Sequence, residues 1–317
     1  MSRSPLRRAP GPPVADLAAA GTVPVASAEP QAVDWRTVLG VFKLRIAVLI
    51  MITALAGMAI VPGGQAGPLQ VLVLALAVLV ASGAAGAFNQ FVEADSDRLM
   101  ARTRRRAFAS GALPRTVGWL LAIAALLVLA VAAAAYWVNA LAAAFVLAGA
   151  LTYALVYTLG LKRRTPWNIV VGGAAGSFAA LAGAAAADPQ LGPLAWLLAL
   201  VLLLWTPPHF WSLAIANEDE YRAAGIPMLP VVVGAARAAR IVHAHAIALV
   251  AVSLLLVPFG AGPLVLAAAL GGGVHFLRKT HALVRQPNRK AAMAAFFASM
   301  VQLSVLLAGV VVDAAMR

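Results

Sequence analysis

The chain alternates long apolar runs with short polar or Pro-Gly breaks. Nine runs come close to the ~20 apolar residues that carry a helix across a bilayer: 41–62, 68–92, 116–136, 138–159, 168–187, 192–215, 239–258, 262–280 and 293–313. A backbone in hydrocarbon must pair its own donors and acceptors, so runs of this length predict helices. The breaks at Pro62-Gly63-Gly64, Asp188-Pro189 and Pro258 to Pro263 fall where proline lacks a backbone donor or glycine loosens the chain. The expected fold is therefore all-α: a polytopic membrane protein with nine transmembrane helices around a central cavity open to the cytoplasmic side.

Composition supports a bilayer setting. The 317 residues are 63% hydrophobic and only 11% charged, with mean hydropathy +0.91, more apolar than one water-soluble core requires. With no cysteine, disulfides, thiolate metal sites and cysteine nucleophiles are excluded together, and any metal must be held by oxygen or imidazole. Residues 1–33, rich in Pro, Ala and Arg without an apolar signal core, are expected to be a disordered cytoplasmic tail, and 34–317 the membrane domain.

The net charge of +13 would point to nucleic acid in a soluble protein. Here its distribution reads as topology. With the N-terminus cytoplasmic, the inner side takes Arg3, Arg7, Arg8, Arg36, Lys43 and Arg45, then Arg98, Arg102, Arg104, Arg105, Arg106 and Arg115. It also takes Lys162, Arg163 and Arg164, then Arg222, Arg237 and Arg240, and finally Arg278, Lys279, Arg285, Arg289 and Lys290. Only Arg317 falls outside, as the positive-inside rule demands, which makes the C-terminus periplasmic. A short chain with no convincing transit peptide favours a bacterial inner membrane.

The stretch NQFVEADSDRLMARTRRR, residues 89–106, breaks the apolar pattern most sharply. Asn89, Glu93 and Asp97 recur every four residues, which on a 3.6-residue helix lines three oxygen-bearing side chains along one stripe, with Asp95 pointing elsewhere. Such a stripe suits Mg²⁺, which takes carboxylate oxygens and shares the rest with water and phosphate. Arg102 and Arg105, a turn or two on, are placed to meet phosphate charge. The alternative is a helix end that simply becomes wet, but Asn89 and Glu93 still lie at membrane depth, where polar groups are costly. A second acidic cluster, Glu218-Asp219-Glu220, stands in WTPPHFWSLAIANEDEYRAAGIPMLP, residues 205–230. Contiguous acids cannot all face one side of a helix, so its geometry is weaker. Acids at the inner ends of the second and sixth spans nevertheless suggest two halves of one diphosphate clamp.

These loops, with YTLGLKRRTPWNIVVGGAAGS at 157–177, resemble the UbiA-type intramembrane prenyltransferases. The blocks KRRTPWN and WTPPHFW resemble the haem-directed branch of that family. The matching stretches lie between residues 89 and 230 and follow the same order. It implies a nine-helix bundle, Mg²⁺-dependent binding of farnesyl diphosphate, and transfer of the farnesyl group to a vinyl of haem b with addition of water, giving haem O. By position it implies Asn89, Glu93 and Asp97 as the first metal and diphosphate motif and Asp219 with Glu220 as the second. Lys43, Arg45, Lys162, Arg163, Arg164 and Tyr221 are expected to border the substrate. Partners implied are farnesyl diphosphate, haem b, membrane lipid, and haem A synthase or terminal oxidase assembly proteins. Two departures stand out. Lys43-Leu44-Arg45 replaces a usual Lys-Pro-Arg, predicting a less kinked helix entry, and Asn217-Glu218 stands where a basic residue is common.

His209 follows Pro207 and Pro208 inside the sixth span, and two readings stand: a ligand or hydrogen-bonding partner of the haem, or a side chain satisfied by a freed backbone carbonyl. His243, His245, His275 and His281 are expected to be structural or interfacial. Trp205, Phe210, Trp211 and Trp167 border the porphyrin or anchor the interface. Gly172, Gly173 and Gly176 are expected to permit close packing. Rival functions are a prenyltransferase for another acceptor such as a quinone precursor, a polytopic transporter, and a haem-carrying assembly factor.

Overall fold

The structure, a computed structural model, describes residues 34–316. The tail expected over 1–33 lies outside the described residues. Apolar stretches become helices throughout, and the breaks between them fall at proline, glycine and charge. The first span is broken: α1 (Trp35–Val41) and α2 (Leu44–Ala59) meet at 48°. Asp34 caps α1 by accepting from the backbone N–H of Arg36. The break itself is Lys43, whose φ of 49° is left-handed, an uncommon state for a residue with a Cβ. The expectation of a less kinked entry is corrected here. Leucine at 44 leaves the bend in place because Lys43 makes it, and Gln90 of α3 (Pro68–Arg98) secures it by donating to the carbonyls of Gly40 and Val41.

Beyond α3 come a short α4 (Ala107–Ser110), α5 (Val117–Trp137) and α6 (Ala140–Leu151). Asn139 caps α6 through the N–H of Ala142. The column of α6 continues as a ten-residue π-helical segment, Thr152–Leu161. Such wider turns are rare and concentrate at functional sites. After α7 (Asn168–Gly172), α8 (Ala174–Ala187) and α9 (Pro193–Ala216) form the most buried columns. Two short helices, α10 (Glu218–Ala223) and α11 (Leu229–Val233), lead to α12 (Ala235–Leu255), α13 (Pro263–Arg285) and α14 (Arg289–Ala315).

Seven helices among the described residues are long and apolar enough to cross a membrane, or eight with the bent α1–α2 pair as one span. The remaining expected span corresponds to α13, whose 23 residues are long enough but whose inner half carries His275, Arg278, Lys279, His281 and Arg285. Nine spans is thus an approximation to a helical multi-pass membrane protein. Leu121, Val128 and Leu129 on α5 are each about two-thirds exposed, an apolar surface that lipid covers and water does not.

Helices pack in order around the bundle, α2 against α3, α3 against α5, α5 against α6 and α6 against α8, with α14 returning to α2. The crossing of α2 on α8 depends on two glycines: a Cβ at Gly57 or Gly183 would enter the backbone of Ala180 or Ala54. Membrane helices approach this closely where small residues leave the interface bare. Of the expected packing glycines, Gly172 meets the ring of Tyr157 and Gly173 the side chain of Thr206, whereas Gly176 faces open space.

Candidate active site

The last turns of α3 carry Asn89, Glu93 and Asp97, and the structure buries all three, at 2%, 2% and 3% exposure. Polar groups withdrawn from solvent need partners. Each finds a basic one. The left-handed turn at Lys43 points its Nζ at Asn89 Oδ1, 2.5 Å away. Lys162, the residue after the π segment, sets Nζ 2.5 Å from Glu93 Oε2. Arg106 Nη1 lies 2.7 Å from Asp97 Oδ2. Asp95, on the other face, meets Arg98 and Arg115 at the surface.

The π register explains how α6 serves this stripe. Its wide turns let Lys162 N–H bond the carbonyl of Tyr157, and Thr158 Oγ1 donate to the carbonyl of Tyr153. Thr158 Oγ1 in turn accepts from Asn89 Nδ2 at 3.0 Å. Tyr153, Tyr157, Thr158 and Lys162 thus share the α3-facing side. The two tyrosine rings stack with centroids 5.6 Å apart and 11° between planes. Lys43 lies over the first ring and Lys162 over the second, each 5.8 Å from the centroid, within reach of a cation–π attraction. Lys43 also donates to the Tyr153 hydroxyl at 3.3 Å. Sequence reasoning missed Tyr153, Tyr157 and Thr158. Gly172 was a usable signal, because it leaves room for the Tyr157 ring.

The second acidic cluster divides. Glu218 and Asp219 both pair with Arg222 in α10, and the Asp219 side chain is wholly exposed. Glu220 keeps one carboxylate oxygen, Oε2, buried with no partner. Tyr221 is buried, close enough to Arg102 and Glu93 for both charges to act on its phenol. Burial pushes its phenol above the ordinary value, the Arg102 charge opposes this, and the Glu93 charge reinforces it. Tyr221 therefore carries the α10 loop to the end of α3. Arg45, Arg163 and Arg164 are exposed and form no ion pair among the described residues. Arg102, Arg105 and Arg106 line a cavity of about 330 Å³ beside α1, off the middle of the bundle.

No three acidic or imidazole groups among the described residues come close enough to hold one metal ion. The donor set nonetheless fits Mg²⁺ as that ion usually binds, through one or two carboxylates completed by phosphate oxygens and water. Glu93 and Asp97 are hard oxygen donors one turn apart, and the partnerless Glu220 oxygen is a further buried acceptor.

His209 is held by a hydroxyl on α14 in place of a helix carbonyl. Its Nδ1 lies 2.7 Å from Ser299 Oγ, and that hydroxyl donates to the carbonyl of Phe296, so Nδ1 carries the proton. Trp205 stacks on one face of the imidazole and Phe296 lies near-parallel to it as well. Trp205 donates to the Ser299 carbonyl, Trp211 is fully buried in the core, and Trp167 is exposed. His243 bonds Thr280 and His245 bonds the carbonyl of Ile241, both structural roles.

The model of the UbiA prenyltransferase family matches residues 50–303, which contain the α3 stripe, the π segment and α10. The chain belongs to that family. UbiA-family relatives include protoheme IX farnesyltransferase 2 of Paramagnetospirillum magneticum, 55% identical over 88% of this chain and 96% of that one. The protoheme IX farnesyltransferase of Gloeobacter violaceus is 41% identical over 86% and 89%. Among solved structures, a digeranylgeranylglyceryl phosphate synthase has TM-score 0.74 at 18% identity, covering 89% of this chain and 99% of that one. A UbiA homologue from Archaeoglobus fulgidus bound to DMAPP and Mg²⁺ has TM-score 0.63 at 14% identity, covering 84% and 99%. At these identities the likeness shows the UbiA fold alone.

Proposed function

We propose that this UbiA-family chain transfers the farnesyl group of farnesyl diphosphate to a vinyl group of haem b, with addition of water, to give haem O and pyrophosphate. The carrying observation is the buried stripe Asn89, Glu93 and Asp97, faced by Lys43, Lys162 and Arg106 at one end of a membrane bundle. The 55% identity to a protoheme IX farnesyltransferase supports haem as acceptor.

The chain's own groups have distinct tasks. Lys43, Lys162, Arg102 and Arg106 meet the diphosphate oxygens, turning from internal partners to the ligand. Glu93 and Asp97, with Asn89, would hold Mg²⁺, and Glu220 and the exposed Asp219 would join them only if α10 moved. When bound, Mg²⁺ supplies positive charge that stabilises the departing pyrophosphate. The allylic C–O bond breaks and its electron pair leaves with pyrophosphate. The vinyl π pair then forms the new C–C bond, and water adds to the resulting cation with loss of a proton. Fixed cations around the leaving group need no rearrangement at that moment, which is the source of their effect. Tyr153 and Tyr157 present π faces beside the cationic end, and their rings limit water there. Stacked between aromatic rings with Nδ1 protonated, His209 offers its other nitrogen to the porphyrin. The basic end lies at the cytoplasmic face of a bacterial inner membrane, with the N-terminus inside and the C-terminus in the periplasm. Haem O then passes to haem A synthase or a terminal oxidase assembly protein.

Incubating membranes with farnesyl diphosphate and either haem b or 4-hydroxybenzoate tests the reading. Farnesylated haem is expected. Prenylated benzoate with haem unchanged would overturn it.

A further inference from the structure

A cavity of about 330 Å³ lies between α1 and the turn that follows α3. Thr37 and Gly40 of α1, Gln90 of α3, and Arg102, Arg105 and Arg106 line it, with Ala107 at its edge. Three arginines, Arg102 and Arg105 exposed and Arg106 partly buried, line it, and the lining holds no acid. Arg106 directs one nitrogen to Asp97, while Arg102 and Arg105 join no ion pair among the described residues. Like charges gathered around a hollow repel one another unless an anion fills it, and the planar fork of arginine matches the two oxygens of a carboxylate.

The hollow adjoins the expected diphosphate position, which it meets at Arg106 beside Asp97, and extends from there toward α1. Asn89 and Glu93 face the π segment of α6, whereas the adjacent Gln90 turns toward α1 and clamps the break at Gly40 and Val41. No carboxylate lines the α1 side, so a metal-bound diphosphate there would lack the anionic ligands that Glu93 and Asp97 offer on the other side. Arg102 borders both regions, since it lines the cavity and its charge also acts on Tyr221.

We infer that this arginine-lined cavity binds the two propionate carboxylates of the haem acceptor and so fixes which vinyl edge faces the farnesyl donor. The propionates and the vinyls sit on different edges of the porphyrin, so a propionate clamp must lie beside the diphosphate site. Arg105, which spacing alone assigned to phosphate, becomes an acceptor-binding residue. The inference rests on the reading that haem b is the acceptor.

The test is Soret titration of the purified full chain, in zwitterionic nanodiscs, with haem b and with its dimethyl ester, whose propionates are uncharged. The wild type is expected to bind haem b about a hundredfold more tightly than the ester, the loss expected for two charge-assisted contacts of about tenfold each. Arg105→Gln should cut that preference about tenfold, raise the KM for haem b about tenfold, and leave the KM for farnesyl diphosphate unchanged. Should Arg105→Gln not fold, Thr37→Asp places a repelling carboxylate in the same hollow and should act alike. Equal binding of acid and ester by the wild type, or a variant that raises only the farnesyl diphosphate KM, would overturn the inference. So would a preference that appears only when anionic lipid is added, since the cavity would then hold a lipid headgroup. A wild type that converts haem b and its ester alike sinks this inference only. A wild type that converts neither sinks the functional reading beneath it.

Discussion

Lys162 Nζ lies 2.5 Å from Glu93 Oε2, joining residues 69 positions apart, with the carboxylate side chain 3% exposed and the lysine 15%. The contact ties the end of the π segment to the acidic stripe of α3. It also gives the buried carboxylate an ammonium partner. Removing one member of such a buried pair strands the other charge, at a cost of about 3–5 kcal/mol.

Lys162→Met should therefore lower stability by about that amount and depress turnover strongly. The double variant Lys162→Met, Glu93→Gln should recover much of the stability and none of the turnover. Thermal unfolding in detergent, measured beside product formation, separates the two effects. A double variant as unstable as the single one would contradict the pairing.

Gly172→Ala should disturb the site through Tyr157. A Cβ there would come within 2.8 Å of the ring, and overpacking of this kind costs about 1–3 kcal/mol. The displaced ring should loosen Lys162, raising the KM for farnesyl diphosphate. Gly176→Ala, which meets nothing within 4 Å, is the matched control and should leave both stability and KM near wild type.

The spans were legible because hydrocarbon demands a continuous apolar helix, and the Asn89, Glu93, Asp97 stripe because a spacing of four maps onto one helical face. Tyr153 and Thr158 were not, since a five-residue spacing belongs to a π register that sequence pattern does not announce. Lys43 was misread for a related reason: proline is the familiar maker of kinks, whereas a left-handed lysine is stabilised by contacts 46 and 110 residues away. The acids 218–220 showed their number but not their directions, and only the fold separates the exposed Asp219 from the buried oxygen of Glu220.

Tyr221 predicts alkaline sensitivity. Its folded pKa stands above the ordinary value near 10, so the folded protein retains a proton that the unfolded chain releases. That contribution is complete below pH ~10 and declines as pH rises through the folded pKa. Tyr221→Phe should lose less stability than wild type between pH ~9 and ~11. Parallel chemical denaturation curves over that range provide the check, and identical pH slopes would count against it.

Ser299→Ala should leave the Nδ1 proton of His209 without its acceptor inside the bundle, costing about 1–3 kcal/mol. Ser299→Thr retains the hydroxyl and should retain most of the stability. Melting temperatures of the two variants decide it, with equal losses arguing against the hydrogen bond.

The central claim is that the transfer requires the buried carboxylates at the end of α3. Its most direct measurement is mass analysis of haem extracted from a haem O deficient membrane expressing the wild type or Asp97→Asn at matched protein levels. The wild type should yield farnesylated haem and Asp97→Asn should yield haem b alone. Equal amounts of farnesylated haem from both would contradict the account.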